Sequence, residues 1–135
     1  ERISIINGDV KKWEDYFRRD EFDQIITNPP FFKYDGNDAQ INDLDQLVTA
    51  RHEYNIKLEE IIEISSKLLK NNAYFTMVHR SERLVEILEL LVKYGLEPKR
   101  LQFCHTKPGN PAKILLIEAV KNSEKGLKIE APIIL

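Results

Sequence analysis

Two consecutive prolines place the tightest limit on how this chain can fold. They lie in the stretch Phe22-Asp23-Gln24-Ile25-Ile26-Thr27-Asn28-Pro29-Pro30-Phe31-Phe32. The residues before them form a short β-branched run, which reads as a buried strand. Proline cannot donate a ladder hydrogen bond, so the strand must stop there. Pro29 also pushes Asn28 out of the α region into extended backbone. The expected product is a rigid turn at the C-terminal end of a strand, with Asn28 at its tip and an aromatic ring just behind. The amide oxygen of Asn28 accepts a hydrogen bond. A carbonyl in the Asn-Pro-Pro segment can accept another, because neither helix nor ladder uses it there. Two fixed acceptors side by side match the two donors of an –NH2 group. Phe31 offers a face for a planar base, and such stacking contributes about 1–3 kcal/mol per base. A proline-terminated strand followed by two core phenylalanines is the plainer alternative.

The rest of the chain alternates strand and helix. Ile3-Ser4-Ile5-Ile6 reads as a short strand stopped by the turn signal Asn7-Gly8. Asp9-Val10 follow, and an Asp at a strand exit can cap the next helix. Trp13, Tyr16 and Phe17 stand at helical spacing, fit to pack on a sheet. The polar stretch from Lys33 to Asp45 reads as a loop that could close over a substrate. Arg51-His52-Glu53 fall at the start of a long helix, whose apolar face is Leu58, Ile61, Ile62, Ser65, Leu68 and Leu69. Asn71-Asn72 is expected to end it. Ala73 to Val78 is the next strand, with His79 and Arg80 at its C-terminal edge, where open α/β sheets place ligands. Ser81 is the expected N-cap of a helix buried through Leu84, Ile87, Leu88 and Leu91 and closed by Gly95. Leu101–Thr106 and Ile114–Val120 flank a turn too short for a helix, so they pair antiparallel. Lys128 to Leu135 can start a final edge segment.

Asp23 to Phe31 resembles the motif IV segment of class I S-adenosylmethionine-dependent methyltransferases that modify exocyclic or amide nitrogens. Ala50-Arg51-His52-Glu53, Met77 to Leu84, and Leu96 to Leu101 narrow the likeness. Together these stretches resemble the bacterial tRNA1(Val) adenine-37 N6-methyltransferase family, the methyltransferase small domain. The resemblance implies a Rossmann-like α/β fold with a mixed sheet ending in an antiparallel pair. It implies S-adenosylmethionine as cofactor, an adenine N6 in tRNA as acceptor, and a cytoplasmic place of action. By resemblance, Asn28, Pro29, Pro30 and Phe31 are catalytic, and Asp9, Val10 and Asn28 touch the cofactor. Phe31, Phe32, Arg51, His52, His79 and Arg80 would meet the substrate. Many relatives carry Tyr where Phe31 stands, and some rRNA guanine-N2 methyltransferases carry Asn-Pro-Pro-Phe. Guanine N2 and a protein glutamine therefore stay open as acceptors, as does a non-catalytic RNA- or protein-binding module.

The likeness covers only the second half of that fold. The glycine-rich cofactor turn, its two strands and the ribose-binding acid have no counterpart here. Residues 1–135 thus read as one partial domain that needs a missing first half and is inactive alone. The family's strand order would leave Ile3–Ile6 without neighbours and its backbone groups unpaired. The chain has 135 residues, is 42% hydrophobic and carries a net charge of −2, so no global basic field draws it to nucleic acid. Lys93, Lys99, Arg100, Lys107 and Lys113, with His105, make one region locally basic. One cysteine excludes an internal disulfide, and three scattered histidines give no spaced metal-ligand set. No apolar run approaches the roughly 18 residues of a membrane span.

Overall fold

The computed structural model describes residues 2–30 and 56–135. A six-stranded sheet forms the frame: β1 (Phe22–Thr27), β2 (Leu69–Arg80), β3 (Leu96–His105), β4 (Ile114–Lys121), β5 (Lys128–Ile129) and β6 (Ile133–Ile134). Two helices cross it, α1 (Leu58–Leu68) and α2 (Leu84–Lys93), with 3-10 turns at Val10–Asp15 and Ser81–Arg83. The strands run in the order β1-β2-β4-β3-β5, with β6 also on β3. β1 is parallel to β2, whereas β4 is antiparallel to both β2 and β3. This is the mixed α/β sheet that the alternation of elements predicts.

Alternation fixes which side of the sheet the helices cover. Ala73, Phe75, Met77 and His79 lie on one face of β2, and Leu115, Ile117 and Ala119 on the same face of β4. Leu58 and Ile62 of α1 and Ile87 and Leu91 of α2 close over that face. Each such side chain contributes about 1.5–3 kcal/mol by leaving water. The other face carries Tyr74, which is 47% exposed, and the Arg100–Glu118 ion pair. A second cluster joins Trp13 to Ile64 and Leu68, with Phe17, Phe22, Ile25 and Ile56 against it, and so ties the first 3-10 turn to α1. Glu59 of α1 accepts hydrogen bonds from Lys93 Nζ at 2.8 Å and Tyr94 Oη at 2.7 Å, linking the two helices. Those bonds hold its carboxyl below the usual range.

Three local expectations are corrected. Ile3–Ile6 forms no strand; Ile3 and Ile5 are 77% and 93% exposed. A β-branched run still needs a neighbour to make ladder bonds, and none is present among the described residues. α1 ends at Leu68, before Asn71, and Leu69 is already extended. The register passes from Phe22↔Leu69 to Gln24↔Tyr74, so residues 70–73 bulge from β2, with Asn72 at φ 65. The asparagine pair marks a distortion within a strand, using the same tolerance for left-handed backbone that suits a helix end. Gly95, at φ 75, closes α2 as expected, and its carbonyl accepts from Asn122 N–H at 2.9 Å.

The third correction concerns Ser81. Arg80 takes the cap position of the short 3-10 turn, and α2 begins only at Leu84. The Ser81 hydroxyl is buried without a partner among the described residues. Removing an orphaned hydroxyl relieves a desolvation cost. Ser81→Ala should therefore leave the urea midpoint unchanged or raise it slightly. A loss of about 1 kcal/mol, typical of a deleted cap, would mean that Ser81 does cap the turn.

Candidate active site

The Asn-Pro-Pro turn leaves the C-terminal end of β1, as the prolines require. Asn28 is exposed, Pro29 is buried and Pro30 is exposed. The three residues line one rim of a cleft of about 560 Å³. Val10 lies on the same cleft, and Ile56, Ile61 and Ile64 form its apolar wall. This volume falls within the range of small-molecule sites, and the mix of apolar wall and few polar groups is typical of them. The Asn28 amide has no hydrogen-bond partner among the described residues, so its oxygen stays available to a ligand.

Asp9 sits just before Val10. Its Oδ1 accepts from Lys11 N–H at 3.0 Å and caps the 3-10 turn. The second carboxylate oxygen makes no bond among the described residues. The capping and cofactor readings of Asp9 are thus compatible, because they use different oxygens. The structure brings Val10, Asn28, Pro29 and Pro30 together on one cleft. Phe31, Phe32, Arg51 and His52, together with the Lys33–Asp45 stretch, lie outside the described residues.

His79 and Arg80 are not on the cleft. Thr27 pairs with Met77, so His79 lies two residues further along the neighbouring strand, at the same edge of the sheet. Its side chain is 1% exposed and sits on the helix-covered face, opposite Leu115. Arg80 N–H donates to His79 Nδ1 at 2.8 Å, which makes Nδ1 an acceptor and leaves the ring neutral with its proton on Nε2. Burial lowers its pKa from the usual histidine range; Arg83 and Arg80 push the same way, and Glu86 opposes them. Arg83 pairs with Glu86 at 2.9 Å beside it.

The sign of the resulting pH dependence follows directly. The unfolded chain takes up a proton at the ordinary histidine pKa, and the folded chain only at lower pH. Stability should therefore fall as pH drops below about 6.5, by at most about 1.4 kcal/mol per unit for one proton. Denaturant midpoints at several pH values measure this, and His79→Gln should flatten the slope. A slope that persists in H79Q would assign it to other groups.

Sequence reading missed part of the cleft wall. The apolar spacing of Leu58, Ile61, Ile62, Ser65, Leu68 and Leu69 leaves out Ile64, yet Ile64 is buried and lines the cleft with Ile61. The i, i+3, i+7 series Ile61, Ile64, Leu68 would have revealed a second apolar stripe beside the first. Among the described residues, no group of three or more His, Cys, Asp or Glu could hold a metal ion. No helix among them is long and apolar enough to cross a membrane.

No family model matches the chain. A tRNA1(Val) (adenine(37)-N6)-methyltransferase of Bacteroides fragilis is 32% identical over 118 residues, covering 86% of this chain and 47% of the relative. The chain is a relative of these methyltransferases. It spans about half the length of the curated relatives it matches. The fold agrees. A predicted O-methyltransferase from Agrobacterium tumefaciens superposes with a TM-score of 0.68 at 21% identity, over 98% of this chain and 54% of that one. M1.HpyAVI in complex with SAM gives 0.55 at 18% identity, over 96% and 64%. The architecture is that of S-adenosylmethionine-dependent methyltransferases, as the Asn-Pro-Pro resemblance implies.

Proposed function

We propose that this chain supplies the acceptor-amine half of an S-adenosylmethionine-dependent N-methyltransferase, and that the acceptor is N6 of an adenine in tRNA. The observation that carries the reading is the cleft on which the unpartnered Asn28 amide, the Asn-Pro-Pro turn and Val10 meet. The sequence relatives named for adenine-37 of tRNA1(Val) support the choice of acceptor. The residues present fit one end of the cofactor. Val10 offers an apolar edge and a backbone N–H to an adenine ring, and the free oxygen of Asp9 offers an acceptor to its amino group. The ribose acid and the glycine turn would come from the further length that the curated relatives have.

S-adenosylmethionine, when bound, supplies an electrophilic methyl carbon on a sulfonium. Asn28 Oδ1 and the Pro29 carbonyl accept the two N–H bonds of the exocyclic amine and aim its lone pair. As the nitrogen takes the methyl group it gains positive charge, and the two acceptors stabilise that charge where it forms. The methyl group would pass from sulfur to nitrogen, leaving a neutral thioether, and the amine held by Asn28 and Pro29 would then shed its proton to solvent. No general base is required. Phe31 stacks on the base, which must be turned out of its own stack to reach the cleft. Phe32, Arg51 and His52 are assigned to the RNA side, and the reaction to the cytoplasm, where tRNA matures.

The test is tritium transfer from labelled cofactor to unmodified tRNA by the complete polypeptide that carries these residues. Label should appear in adenine at N6. Label in guanine or in protein glutamine would move the acceptor, and cofactor-independent RNA binding without transfer would favour a binding module.

A further inference from the structure

We infer that the hairpin between β3 and β4 is a phosphate-binding rim, which holds the RNA backbone next to the nucleotide in the cleft. The inference rests on the nucleic-acid reading above and names the surface that such a substrate would touch.

Strand directions place this hairpin. β2 runs parallel to β1; β4 opposes β2, and β3 opposes β4. β1, β2 and β3 therefore all end at one edge of the sheet. That edge carries the Asn-Pro-Pro turn, Arg80 and the residues 106–113 that join β3 to β4. At about 4.8 Å per strand, the hairpin stands roughly 10–14 Å from Asn28. It is tied down rather than loose. Ser81 N–H donates to the Lys113 carbonyl at 2.9 Å, so the exit of β2 is fixed to the hairpin. His105 Nδ1 donates to the Asn110 carbonyl at 2.6 Å and closes the turn. Gly109, at φ 81, projects its tip into open space.

Charge selects the ligand. Of the locally basic residues in the sequence, Lys93 pairs with Glu59 and Arg100 with Glu118, and Lys99 donates to the Glu124 carbonyl. Lys107 and Lys113 are exposed and have no carboxylate partner among the described residues. From Pro98 to Ile117 the chain holds no acidic residue. Arg80 is exposed at the same edge, and among the described residues Glu82, just after it, is an exposed carboxylate that opposes the set. Two uncompensated ammonium groups, held by a fixed turn beside a base-sized cleft, suit successive phosphates of a single strand. Lysine serves phosphate as a point charge and needs no bidentate fit. The contact would add affinity without reading sequence.

The experiment measures RNA binding apart from methyl transfer. The complete polypeptide and its K107Q/K113Q variant are titrated with an unmodified tRNA1(Val) transcript between about 50 and 200 mM salt. The double variant should bind roughly three- to tenfold more weakly, and its log K against log salt slope should fall by about 1.5. K125Q is the control. Lys125 is exposed, but it follows β4 and so lies at the opposite edge. Its slope should not change. Unchanged affinity and slope in K107Q/K113Q, an equal loss in K125Q, or absence of RNA binding by the parent would each overturn the assignment. If tRNA takes no label and the double variant still loses slope, the acceptor reading fails and the rim stands.

Discussion

Replacing Asn28 with alanine should lower methyl transfer by the complete polypeptide about 10²- to 10³-fold, the usual cost of removing one preorganised group aimed at developing charge. The loss should fall on kcat, because the amide meets the amine most strongly once the nitrogen carries positive charge. The Kd for S-adenosylmethionine should barely move. Stability should barely move either, since the side chain is exposed and makes no hydrogen bond among the described residues. Asn28→Asp is the sharper companion. It keeps the acceptor oxygen and adds a negative charge, so it should retain more activity than alanine. Single-turnover rates with labelled cofactor, set beside calorimetric cofactor affinity, separate the two effects. A variant N28A with wild-type kcat would remove Asn28 from the chemistry and return the turn to a structural role.

Why some of this was legible in the sequence, and some was not, follows from how local each cause is. The end of β1 is dictated by Pro29 itself, and the closure of α2 by Gly95 at φ 75. The β3–β4 pairing follows from a turn too short for a crossover. These causes act within a few residues. The errors arose where a residue suits two conformations or where a partner is distant. Leu69 fits the apolar face of α1 as well as the start of β2, so spacing alone could not place the boundary. Asn72 accepts left-handed backbone in a bulge as readily as at a helix end. Ile3–Ile6 has the composition of a strand and no described neighbour to pair with.

The basic region illustrates the same limit for the site. Lys93 is neutralised by Glu59, 34 residues earlier, and Arg100 by Glu118, 18 residues later. Counting lysines along the chain could not separate these from Lys107 and Lys113. Only strand order shows that these two lysines, without a carboxylate partner among the described residues, share an edge with Asn28. His79 is similar. Its place at a strand's end suggested a ligand, but the pleat turns it under the helices.

Phe75→Ala should be the most damaging of the core substitutions, costing about 3–5 kcal/mol. Phe75 is fully buried on β2, between its register partners Ile25 on β1 and Ala119 on β4. β2 is the strand through which the parallel part of the sheet joins the antiparallel part. The small side chain of Ala119 cannot swell into the space that a lost ring would leave, so a cavity would remain. Typical domains are stable by only 5–15 kcal/mol. The variant should therefore unfold at much lower urea with an unchanged m-value. Phe75→Leu, which keeps most of the volume, should recover over half of the loss. Because β1, which leads into the Asn-Pro-Pro turn, is laddered to β2 at Ile25↔Phe75, loosening this contact should also weaken the site: methyl transfer should fall in F75A even at temperatures where the protein stays folded. Activity that tracks the folded fraction alone would mean that the turn holds its shape without the core beneath it.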